Sequence, residues 1–131
     1  MTDGARRLLT GLRQILLVHH KTLLDSERAR YDHDVQRIQS SGQLLNLVLH
    51  DPFFAWLHEL SELIVLIDET LDAAEPASAA DAARLLAQAR TLLTPAESGD
   101  GFRRQYFDAL QRDPDVVIAH GAARKALEGL A

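Results

Sequence analysis

Six polar side chains fall where helical spacing predicts buried faces. His20, Glu27 and Tyr31 recur on the apolar stripe of a first segment, and Ser61 and Asp68 stand seven apart on a second. His120 falls in line with Val116, Val117, Ala123 and Leu127 on the last. If these segments pack together, two histidines, two carboxylates and a phenol converge. Imidazoles and carboxylates on facing helices are how bundles hold divalent metals. The same residue types also make a network that satisfies itself. A buried aspartate is usually kept by hydrogen bonds to tyrosine, histidine or arginine, and Arg28 and Tyr31 are candidate partners for Asp68. The structural network is favoured. The alternative is a small-molecule or metal-binding bundle using His20, Glu27, Tyr31, Asp68 and His120.

Narrower motifs argue against specific chemistries. A di-iron bundle needs Glu-x-x-His on two helices, and no such pair occurs. His19-His20 and His58-Glu59 are adjacent, so their side chains diverge by about 100° on a helix. No histidine has another four residues away, which removes the zinc-protease arrangement. Gly99-Asp100-Gly101 lacks the lysine of a phosphate loop, and there is no cysteine nucleophile. Ser61, His58 and Asp68 supply the residue types of a triad. A serine there would be buried, with no oxyanion donor. No catalytic residue is assigned, no cofactor is expected, and an enzyme is the less favoured reading.

The elements that position these residues are all helical. Leu9, Leu12, Leu16, His20, Leu24, Glu27, Tyr31, Val35 and Ile38 recur every three or four residues, which predicts a first helix over about 5–38. Ser40, Ser41 and Gly42 end it, and Leu44 to Leu49 read as a short apolar turn. Asp51-Pro52 is a start signal: the aspartate caps free amides and the proline needs none. A second helix to about Ala73 is apolar on nearly every side from Leu63 to Ile67, so it should be wrapped by the others, with Asp68 enclosed. Ser78 and Asp81 resemble a capping box opening a third helix that ends near Thr94-Pro95. A mobile loop over 96–101 precedes a fourth helix over 102–112, and Asp113-Pro114 opens a last one. The expectation is an all-α bundle of about five helices, two long and three shorter, around a buried second helix, in a single domain over 1–131.

Composition bounds the rest. With 131 residues, 47% apolar and 25% charged, the chain has the balance of a soluble globular protein. It holds no cysteine, which excludes disulfides and fits a cytoplasmic location. The N-terminal segment carries Arg6, Arg7 and Arg13, unlike a secretory signal, and no apolar run is long enough to span a membrane. The net charge of −5 argues against nucleic acid as a partner. Residues 1–39 carry seven basic and five acidic side chains, whereas 40–75 carry seven carboxylates and no lysine or arginine. Opposite signs favour packing those two segments side by side.

The runs HKTLLDSERARYD (His20 to Asp32), DPFFAWL (Asp51 to Leu57), SELIVLID (Ser61 to Asp68) and YFDALQRDPDVVIAH (Tyr106 to His120) resemble a family of small, uncharacterised bacterial all-α proteins. The resemblance covers most of the chain and implies no activity, cofactor or catalytic residue. Function is therefore expected at a surface. Phe53, Phe54 and Trp56 open the second helix, and one of them must face away from its main stripe. Trp56 more often closes the end of a bundle than marks a patch. With Leu44 to Leu49 beside it, this end still has surplus apolar surface, which points to a structural or interaction module that self-associates or docks a protein partner.

Overall fold

The computed structural model describes residues 2–130, so both ends of the expected 1–131 domain, residues 1 and 131, lie outside it. Its helix α1 (Thr2–Asp34) is about 50 Å long at the usual rise per residue. One face of α1 is closed to solvent from end to end: Ala5, Leu9, Leu12, Leu16, His19, Leu23, Glu27 and Tyr31. It ends four residues before the expected Ile38, where the Asp32 carboxylate accepts the Ile38 amide at 2.8 Å and draws the chain back. Ile38 then tucks into the core while Val35 stays exposed.

Leu44 to Leu49, expected as a turn, belong to a ten-residue helix α2 (Ser41–His50). Ser40 caps it by accepting the Gln43 amide at 3.1 Å. The expected second helix is divided. Pro52–Leu57 winds as a 3-10 helix, with the Asp51 carboxylate accepting the Phe53 amide at 2.9 Å, and α3 (His58–Asp72) continues as a regular helix. Next comes α4 (Ala79–Leu92), opened by a full capping box between Ser78 and Asp81. Helices α5 (Phe102–Arg112) and α6 (Pro114–Glu128) complete the chain. The described residues thus form six α-helices and one 3-10 helix, all-α as expected, with one helix more than the sequence reading. The loop before α5 is tied down, with Arg103 Nε donating to the Thr94 carbonyl at 2.6 Å. Gly99 turns it at φ +91°, a region that only glycine enters freely.

The centre of the bundle is α1, which packs against α3, α4, α6 and the 3-10 helix. The buried helix expected at the centre, α3, lies on the outside: Val65 is 52% and Leu66 43% exposed. Its apolar girth misleads because α1 is more than twice as long and has room for several elements along its sides. The oppositely charged segments do pack side by side, joined by Arg13 to Asp68 and by Arg6 donating to the Leu71 carbonyl at 3.3 Å.

Candidate functional site

The polar residues expected to converge are dealt out to separate places along α1. Glu27 is fully buried. Arg30, one turn further on, donates to both its oxygens at 3.0 and 2.8 Å, the Trp56 indole N–H donates at 3.1 Å, and Arg112 from the end of α5 also donates. Arg30 lies over the Phe53 ring at 3.9 Å, and its Glu27 hydrogen bonds push its pKa up. One carboxylate therefore faces two guanidiniums, each with about a third of its side chain in solvent, where the surplus positive charge is hydrated.

A second polar line runs from α1 to α6 through α5. His19 Nε2 and the Tyr106 hydroxyl are 2.8 Å apart, and the same hydroxyl lies 2.6 Å from His120 Nδ1. Burial lowers the His19 pKa to about 4, with His120 and His20 adding to the shift, so this ring is neutral near pH 7. Burial likewise lowers His120 and raises the Tyr106 phenol. His19 Nδ1 is buried and has no hydrogen-bond partner among the described residues.

His20 faces the other flank of α1, with its Nε2 2.9 Å from Ser61 Oγ on α3, and burial lowers its pKa. Asp68 pairs with Arg13 and is not enclosed, since 39% of its side chain is exposed. Tyr31 belongs to an aromatic group with Phe53 and Phe54, their ring centroids 5.1 and 5.5 Å from its own. Of the five expected members, His20, Glu27, Tyr31, Asp68 and His120, no two share a direct hydrogen bond. Among the described residues no three histidine, aspartate or glutamate side chains stand together as a metal site would need. The triad types are scattered too. Ser61 meets His20, Asp68 meets Arg13, and the His58 imidazole donates to the Val48 carbonyl at 2.8 Å.

Sequence reading missed His19, Arg30, Tyr106 and Arg112. From Leu16, steps of three, four and four reach His19, Leu23 and Glu27, whereas steps of four, four and three reach His20, Leu24 and Glu27. Periodicity cannot choose between these routes, and the fold uses both, one for each flank of a surrounded helix. Nothing local marks Arg112, which lies 85 residues from Glu27.

The apolar end is also rearranged. Phe54 is fully buried and Phe53 packs on Tyr31. Trp56 closes over Phe102, with ring centroids 5.2 Å apart, and is held by Glu27. The exposed apolar surface is next door on α2, where Leu45 is 60% and Leu49 55% exposed.

No family model, curated protein or solved structure matches the chain, and the resemblance drawn from its motifs rests on those residues alone.

Proposed function

We propose that this protein is a cytoplasmic interaction module that self-associates weakly through α2. The observation that carries the reading is the pair Leu45 and Leu49, one turn apart and more than half exposed. The helix they stand on has no aspartate, glutamate, lysine or arginine and no fully buried residue. A ten-residue helix of this kind is unstable alone and gains stability by covering its apolar side chains. Leu44, Leu47 and Val48 already lean on the body, mostly against the 3-10 helix, which leaves the opposite face for a second copy. Depletion of charge with apolar residues at the centre is the composition of an interface core. Two leucines per chain make a small patch, so the association belongs at the weak, transient end of the range.

Light scattering across a concentration series tests this. The expected outcome is a monomer–dimer equilibrium that Leu45→Glu with Leu49→Glu abolishes while the helical circular dichroism persists. A strict monomer at millimolar concentration, or a dimer indifferent to both changes, would reject the reading.

A further inference from the structure

Helices α1 and α6 run antiparallel. Ser26, late in α1, meets Asp113 at the start of α6, while Ile15 and Val18 share a hollow with Ala122 and Ala126 further along α6. Two hollows, of about 260 and 450 Å³, lie along this seam and have Ala119 and Ala122 in common, so they form one groove. From Gln14 to Ala29 on α1 it spans about 22 Å, some four turns of helix. No residue of α2 lines it.

The groove has an apolar length and an acidic end. Ala119, Ala122 and Ala126 are short, which lets a further helix come close. Val18 is 59% and Ile118 71% exposed, so large apolar side chains stand in water beside them. Asp25, Asp113 and Asp115 gather at the wider hollow, and among the described residues no lysine or arginine lines either one. Lys21 reaches Asp25 from outside at 2.9 Å, in a pair too exposed to count for much. Asp113 is occupied by Ser26 and by its own helix start. The Asp115 carboxylate has no partner among the described residues. Both hydroxyls at this end are also engaged, Thr22 donating to the Val18 carbonyl at 3.4 Å and Ser26 to Asp113. The acidic end therefore offers acceptors and negative charge, and no free hydroxyl donor.

We infer that the groove docks an amphipathic helix of a partner protein, about 15 residues long, with large apolar side chains over the α6 alanines and lysine or arginine beside Asp25 and Asp115. Bulky residues on the incoming helix fill the room that alanine leaves, which is the helix-in-groove mode of recognition. Basic residues match the acidic end, and the net charge of −5 draws such a partner in from a distance. The apolar helix α2 of a second copy does not fit, because it carries no lysine or arginine for that end.

Two synthetic peptides of that length are the probes, both with leucines at helical spacing, one carrying lysines at one end and its twin glutamines there. Fluorescence anisotropy with the full chain should show the lysine peptide binding about tenfold tighter, the worth of two partly exposed ion pairs, and the difference should shrink as salt is added. Asp25→Asn with Asp115→Asn should level the two peptides. Glu75→Gln with Glu97→Gln removes the same charge from exposed positions outside the groove and should leave the preference intact. Ala122→Lys, at an exposed position, should abolish binding while the helical circular dichroism persists. Equal affinity for the two peptides, or binding of neither, would overturn the assignment. So would binding that survives Ala122→Lys, or equal losses in the two double variants, which would mean that the peptide follows net charge alone. Ala122 methyl shifts that track protein concentration without peptide would give the groove to a second copy of the chain, and overturn it as well.

Discussion

A carboxylate cut off from water survives at Glu27 because donors from three other residues, Arg30, Trp56 and Arg112, replace its hydration. Glu27→Gln keeps the shape but leaves two guanidiniums facing each other without an anion. Because both are partly solvated, the loss should be about 2–4 kcal/mol, below the top of the range for a wholly buried pair. Denaturant unfolding would measure it, and a loss under about 0.5 kcal/mol would mean that water already screens both arginines. Asp68 is the opposite case. Its bond to Arg13 is two-fifths exposed at both ends, so Asp68→Ala should cost no more than about 1 kcal/mol in the same measurement. The sequence singled out both acids as buried, since each follows apolar spacing. Glu27 is buried because α5 brings Arg112 to it. Asp68 is open because α3 lies on the rim.

Helix starts are the best-determined local features of this chain, and one of them does more than start a helix. The Asp113 carboxylate accepts the Asp115 amide at 2.9 Å through one oxygen, capping α6. Its other oxygen accepts the Ser26 hydroxyl at 2.6 Å, tying the beginning of α6 to α1. Asp51 caps the 3-10 helix and makes no such cross-link. Asp113→Ala should therefore cost about 2 kcal/mol, a cap plus a tertiary hydrogen bond, against about 1 kcal/mol for Asp51→Ala. Equal losses in thermal or denaturant unfolding would show that the Ser26 bond contributes nothing. Asp-Pro at each start was legible because it acts on its own neighbours. The reach of Asp113 to Ser26 was not, since nothing within α6 encodes it.

The bundle as a whole should be acid-sensitive, and the histidines say over which range. A group whose pKa is lowered by folding binds its proton more readily in the unfolded chain, so stability falls as pH falls. For His19 the loss begins near the unfolded value of 6.5 and is complete below about 4, a window worth about 3 kcal/mol. The lowered pKa values of His20 and His120 act in the same direction. Unfolding followed from pH 7 to pH 4 should show falling stability, and His19→Phe should flatten much of that slope. An unchanged slope in the variant would mean that the His19 ring is protonated without strain in the folded protein.

Class and punctuation were legible from the residues: helical period, Asp-Pro starts, the Ser78 and Asp81 box, and the side-by-side packing of a basic and an acidic segment. Each depends on neighbours within a turn or two, or on charge summed over a segment, and a linear pattern carries both. Which helix sits at the centre, which of two adjacent histidines is enclosed, and whether an acid on an apolar stripe meets solvent are settled by partners tens of residues away. A helix stripe records that a face is covered. It does not record by what, and α1, covered on several flanks at once, has several stripes that answer to different neighbours.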